Sequence, residues 1–185
     1  MASKHDSKPK QYGESAARKG PRFRSVLIIC AANTARSIMA EHMLRRELRE
    51  RGIDSHVSVL SAGIAPYARD GALVSLDTRL ALRDDNIHIG EEATSTDLKR
   101  HPEMLEAAEV ILAMTDQQKI DFLKLFPGAT GKPVHTIREF ADDAGDIEDP
   151  YEKGDEKFTE VREQIKRLIP VVADRILGAD WSLDD

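Results

Sequence analysis

Residues 25–30 read Ser-Val-Leu-Ile-Ile-Cys, and fifteen residues later the chain is still running through Met-Leu-Arg-Arg-Glu-Leu with an apolar residue every third or fourth place. A strand of Val, Leu and Ile without polar alternation has no face to give to water, so it must be covered on both sides. That requirement favours a parallel sheet with helices on both faces. From Ser37 to Arg51, Ala40, Met43, Leu44 and Leu48 recur at helical spacing, and Gly52 stops the pattern. Strand, five-residue loop and helix form a first unit.

The alternation continues down the chain. Residues 56–63 read as a second strand ending at Gly63, 72–83 as a helix, 102–108 as a short helix and 109–114 as a third strand. Thr115 is placed to cap a helix that Pro127 and Gly128 end. Residues 132–137 form a weak fourth strand and 138–154 an acidic loop. A last helix covers 155–177, kinked or divided at Pro170. The expected fold class is α/β: a single domain with a short four-stranded parallel sheet, helices on both faces and right-handed crossovers, of the flavodoxin-like kind.

Charge is unevenly spread. The net charge is −6 over 185 residues, but residues 1–24 hold seven Lys or Arg against two Asp or Glu, leaving about −11 on the rest. The expected organisation is a basic, disordered segment 1–24, a domain 25–177 and an acidic tail 178–185. A body this acidic, with no basic patch interleaved with aromatics, argues against nucleic acid as a partner, since phosphate backbones are bound by clustered Lys and Arg. No apolar run approaches the roughly 18 residues of a membrane span. Residues 1–24 lack the apolar stretch of a secretory signal, and one cysteine cannot form an internal disulfide, so a cytoplasmic location is expected.

That one cysteine, Cys30, ends the first strand, and Arg36 opens the helix six residues on. In an open α/β sheet, ligands lie beyond the carboxyl ends of the strands, where helix N-termini present unpaired N–H groups and the positive end of the dipole. The small loop residues Ala31, Ala32, Asn33, Thr34 and Ala35 can curl into an anion nest. The planar fork of Arg36 can grip two phosphate oxygens. The same field favours the thiolate of Cys30, the reactive form of the side chain. The six histidines, at 5, 42, 56, 88, 101 and 135, have no metal-ligand spacing, so neither a metal nor a cofactor is expected.

The stretch "CAANTARS" (30–37) resembles the C-x5-R-S signature of the low-molecular-weight protein tyrosine phosphatases. The resemblance extends through "SAG" (61–63), "AAEVILAMT" (107–115) and "DPYEKG" (149–154), and covers about residues 25–177. It implies that Cys30 is the nucleophile, Arg36 the phosphate clamp and Asp149 the general acid. Asn33 would hold the loop's shape, Ser37 would hydrogen-bond the thiolate, and Tyr151 would form an aromatic wall. The substrate would be a phosphorylated protein side chain and the product inorganic phosphate.

Three positions depart from the family pattern. Ala32 stands where the family usually has glycine, at a cost of order 1 kcal/mol if that position needs positive φ. Ala35 replaces the second cysteine that many members use to protect the nucleophile, leaving Cys30 without an intramolecular disulfide partner. Ile38 replaces a proline. Thr34 and "TIREFA" (136–141) look like the protein arginine phosphatases, a bacterial branch of the family. A hydroxyl on the pocket wall suits a guanidinium N–H better than a phenyl ring. The loop also fits the C-x-x-N-x-x-R-S of the arsenate reductases, a chemistry for which this chain would need an external thiol. A phosphate- or phosphoprotein-binding module with little turnover is the alternative of another class.

Overall fold

The computed structural model describes residues 20–179 and 181. The expectations for residues 1–19, 180 and 182–185 lie outside them. Four parallel strands, β1 (Ser25–Cys30), β2 (Ser58–Gly63), β3 (Val110–Ala113) and β4 (Val134–Thr136), form one sheet in the order β2-β1-β3-β4. Helices α1 (Arg36–Glu50), α2 (Leu76–Asp84), α3 (Pro102–Ala107), α4 (Asp116–Leu125), α5 (Ile137–Phe140) and α6 (Asp155–Leu177) complete the domain, with 3-10 turns at Leu98–Arg100 and Pro127–Ala129.

The apolar run of β1 feeds both faces. Val26, Ile28 and Cys30 join Met39, Leu44, Leu48, Ile165, Ile169 and Val172 in the larger core cluster, beneath α1 and α6. Leu27 and Ile29 pack on the other side with Leu98, Ile111, Phe122 and Ala129. A strand with period-two side chains and cover on both faces must read as continuously apolar, as this one does. Its carboxyl end pairs Cys30 with Gly63, so the first strand's last residue lies beside the last residue of β2.

Four features differ from the sequence reading. Helix α6 runs unbroken through Pro170, which is exposed and whose carbonyl accepts from Arg51 Nη2 at 3.2 Å. Residues 137–140 are helical, where the reading had the last residue of a strand and the start of a loop; Thr136 and Glu139 form a reciprocal capping box around them. Helix α2 starts at Leu76, capped by Ser75, because Leu73 is held in a bridge to Thr94. The end of the basic segment belongs to the body: Phe23 is buried, and the N–H groups of Arg22 and Phe23 donate to the carbonyls of Leu177 and Ile176. No helix among the described residues is long and apolar enough to cross a membrane.

Candidate active site

The loop after β1 turns tightly because Asn33 adopts φ +60°, the left-handed region that asparagine tolerates better than most residues. Ala32 does not share that conformation, so the alanine in place of the family glycine carries no left-handed strain. Asn33 also supplies the loop's internal bracing. Its backbone N–H donates to Cys30 Sγ at 3.3 Å, and its Nδ2 donates to Ser37 Oγ at 2.9 Å and Ser61 Oγ at 2.8 Å. Its Oδ1 accepts the N–H of Thr96 at 2.8 Å. Ser37 Oγ lies 2.9 Å from Cys30 Sγ. Cys30, Asn33, Arg36 and Ser37 are all nearly or fully buried.

The loop's carbonyls are turned outward to neighbouring segments. Those of Cys30 and Ala31 accept from the N–H groups of Ile64 and Ala65, and that of Thr34 accepts from Ser75 N–H and the Thr78 hydroxyl. The N–H groups of Ala32, Thr34 and Ala35 have no acceptor among the described residues. Ala35 is the N-cap of α1 and gives it no side-chain cap, with no acid in the first turn; α3 and α6 also lack a side-chain cap, whereas α2, α4 and α5 are capped by Ser75, Thr115 and Thr136. Free N–H groups and an uncapped helix N-terminus are what an anion site requires.

Arg36 faces this cradle with a buried guanidinium. Nη1 donates to the Ile147 carbonyl at 3.1 Å, and Nη2 pairs with Asp149 Oδ2 at 2.5 Å. That pair brings a carboxylate from 113 residues downstream to the edge of the loop. The other oxygen, Oδ1, accepts the N–H of Tyr151 at 3.1 Å. The Asp149 side chain remains 45% exposed. The Tyr151 ring is exposed and makes no side-chain hydrogen bond among the described residues. Thr34 is partly buried, and its hydroxyl likewise has no partner among the described residues.

The structure therefore bonds Cys30, Asn33 and Ser37 into one group and Arg36 and Asp149 into another, joined through the loop of Ala31, Ala32, Thr34 and Ala35. Among the described residues no three His, Cys, Asp or Glu side chains are grouped so as to hold a metal ion.

A family described as low molecular weight phosphotyrosine protein phosphatase matches residues 25–178. The chain belongs to this family. A protein-arginine-phosphatase of Geobacillus stearothermophilus is 30% identical over 152 residues, covering 82% of this chain and 95% of the relative. A probable low molecular weight protein-tyrosine-phosphatase, EpsP, of Ralstonia nicotianae is 31% identical over 157 residues, covering 83% and 97%. Among solved structures, the YwlE arginine phosphatase of Geobacillus stearothermophilus superposes with a TM-score of 0.70 at 30% identity, over 81% of this chain and 90% of that one. A low molecular weight protein tyrosine phosphatase from T. tengcongensis gives 0.72 at 30% identity, over 80% and 96%. The protein is a phosphatase-family enzyme with the low-molecular-weight phosphatase fold.

Several groups around this loop were not evident from the sequence alone. Ser61, inside the "SAG" stretch, receives Asn33. Gly63 is needed for closeness, since a Cβ there would lie 2.8 Å from the Ala31 carbonyl oxygen and 2.9 Å from the Ala32 carbonyl carbon. Tyr67, 69% exposed, stands on the loop that binds the Cys30 and Ala31 carbonyls. Glu41 is a buried acid in the apolar stretch Ile38-Met39-Ala40-Glu41-His42-Met43, and that break in the pattern was its one sequence signal.

Proposed function

We propose that the protein removes phosphate from phosphorylated arginine side chains in proteins, in preference to phosphotyrosine, through a phosphocysteine intermediate. The observation that carries the mechanism is the Arg36–Asp149 pair, which holds an acid and a phosphate clamp at the loop that begins with Cys30. An incoming phosphoryl group takes the N–H groups of Ala32, Thr34 and Ala35 and displaces Asp149 from Arg36. The Cys30 thiolate attacks phosphorus, the bond to the leaving nitrogen or oxygen breaks, and Asp149 supplies the proton that the leaving group needs. Water then attacks the phosphocysteine, Asp149 takes a proton from it, and inorganic phosphate leaves with the thiolate restored. The Ser37 hydroxyl, 2.9 Å from the sulfur, stabilises the thiolate both as nucleophile and as leaving group.

The preference for arginine rests on Thr34, whose unpartnered hydroxyl can accept a guanidinium N–H that an aliphatic side chain would leave unpaired. Identity does not separate the two substrates, since an arginine phosphatase is 30% and a tyrosine phosphatase 31% identical to this chain. The exposed rings of Tyr67 and Tyr151 suit either substrate, since both a guanidinium and a phenyl ring can stack on an aromatic face.

The test compares kcat/KM for a phosphoarginine peptide and a phosphotyrosine peptide, with Cys30→Ser as the blank. A preference of about tenfold for phosphoarginine, or ~1.4 kcal/mol of transition-state discrimination, is expected, and Thr34→Ile should erase it. A native preference for phosphotyrosine overturns the substrate reading. Turnover that survives Cys30→Ser overturns the mechanism.

A further inference from the structure

Apolar side chains are not spread evenly over the surface. Of the eight large apolar side chains exposed among the described residues, Leu73, Leu76 and Leu80 fall within one short segment, and Leu73 and Leu76 are 60% and 65% exposed. Leu76 and Leu80 stand one turn apart on one side of α2, while Thr78 and Leu82 turn inward and are fully buried. A single surface leucine needs no explanation, but three together form a patch with a use.

The backbone that carries them is held on both sides. Ala72 accepts the N–H of Ser95 at 2.7 Å and Val74 donates to the Ala93 carbonyl at 3.0 Å, which makes Leu73 and Thr94 an antiparallel bridge. The Ser75 N–H and the Thr78 hydroxyl both donate to the Thr34 carbonyl, at 3.2 and 3.1 Å. The leucines therefore ride on a frame bonded to the phosphate loop itself. In a bridge of this pattern the bonds are made by the residues on either side, so the N–H and C=O of Leu73 point away from Thr94. Neither has a partner among the described residues. Leu73 thus offers an extended donor and acceptor together with an apolar side chain.

An extended polypeptide uses both when it joins an open strand edge: main-chain groups for hydrogen bonds, and alternate side chains for apolar contact. The occupant follows from the position. A residue whose phosphate lies in the loop after β1 must lead its own chain out over the rim, and on the Thr34 side that rim continues into Ser75 and Leu76. We infer that Leu73, Leu76 and Leu80 form a docking edge for the substrate polypeptide beside its phosphorylated residue, which lies extended along Leu73 and sets an apolar side chain on the leucines. Because the frame is already fixed, docking orders only the peptide. The edge selects the sequence around the phosphorylated residue, where Thr34 selects the residue itself. This inference rests on the reading of the substrate as a phosphorylated protein side chain, and it holds for arginine and tyrosine alike.

The test uses two phosphopeptides, identical except that the residues flanking the phosphorylated one are leucine in the first and serine in the second. The native enzyme should give the leucine peptide a kcat/KM about fivefold higher, with the difference in KM. The double variant Leu73→Ser, Leu76→Ser, at two surface positions, should bring that ratio below about twofold at unchanged kcat, while KM for p-nitrophenyl phosphate, which carries no polypeptide, stays within about twofold. Leu73→Pro removes the outward N–H and none of the bonds that hold the segment, an exchange that strand edges accept, so its KM for the leucine peptide should exceed that of Leu73→Ser by about threefold. Equal kcat/KM for the two peptides in the native enzyme, or a ratio that survives the double variant, overturns the docking edge. Equal KM in Leu73→Pro and Leu73→Ser overturns the strand pairing. Turnover of p-nitrophenyl phosphate with none of either peptide overturns instead the reading of the substrate as a phosphoprotein.

Discussion

The two loops that meet at Arg36 are built on opposite terms. The loop from Cys30 to Arg36 is enclosed, its side chains interlock through Asn33, and its carbonyls are held by two other segments. The segment 141–154 is mostly exposed. It is pinned at Ile147, which is fully buried and donates its N–H to the Met114 carbonyl at 2.9 Å, and at Asp146, which accepts the N–H of Asp116. Beyond that anchor, Asp149 reaches the site through Arg36. The anion cradle is thus formed before any ligand arrives, as electrostatic stabilisation of a transition state requires. Asp149 instead sits on Arg36, a partner that phosphate would compete for in the proposed mechanism, so its placement would change during that cycle.

Asp149→Asn should separate the two loops most sharply. The expected fall in kcat for a phosphopeptide is about 10²- to 10⁴-fold, while inorganic phosphate inhibits at least as well as before because Arg36 loses a competitor. p-Nitrophenyl phosphate, whose leaving group needs less protonation, should lose much less. A fall below tenfold on the peptide would mean that the exposed loop contributes little chemistry.

Two glycines carry the comparison into stability. Gly63→Ala forces a Cβ against the backbone of Ala31 and Ala32, so the cradle itself must shift. Overpacking of this kind costs about 1–3 kcal/mol, and kcat should fall with the thermal midpoint. Gly145→Ala, in the acid loop at φ +92° with nothing near its Cβ, should cost only about 1 kcal/mol of conformational strain and leave kcat within twofold. Equal effects on kcat from the two would erase the distinction between a rigid cradle and a tolerant arm.

The last effect concerns the helix that carries the cradle. Burial and the nearby Arg45 push the partly buried His42 on α1 down to about 4. Its folded-state value lies below the unfolded one, so it contributes stability above pH 6.5 that is lost as pH falls toward 4. The loss is at most about 1.4 kcal/mol for each pH unit in that window. Urea unfolding at pH 7 and pH 5 should show His42→Gln flattening that dependence, and an identical slope in the variant would exclude His42 as its source.

The sheet and the first unit were legible because their signals are long or chemically specific. The continuous apolar run of β1 demanded two-sided cover, and a cysteine six residues before an arginine at a strand-to-helix turn demanded an anion. Helix α5 was hidden because four residues are shorter than two turns and show no periodicity; only the Thr136 and Glu139 cap marks it. Pro170 suggested a break, but α1 packs along α6 and the buried Leu168, Ile169, Val172 and Ala173 hold the helix continuous. The position of backbone strain was also misplaced, since the family glycine drew attention to Ala32 while the left-handed turn falls on Asn33. Ser61 and Thr96 are distant in sequence from Asn33 and meet it only through hydrogen bonds, a relation that spacing along a chain does not encode.

Helix α1 receives no side-chain cap at its first turn and carries no acid there. In the proposed mechanism phosphate supplies what is missing, so the substrate and the product would both act as the final piece of secondary structure. Occupancy of the cradle and resistance to unfolding are then two readings of one equilibrium: inorganic phosphate at a hundred times its dissociation constant adds about 2.7 kcal/mol to folding. A melting curve in phosphate measures how well the empty protein has prepared a place for its own last hydrogen bonds.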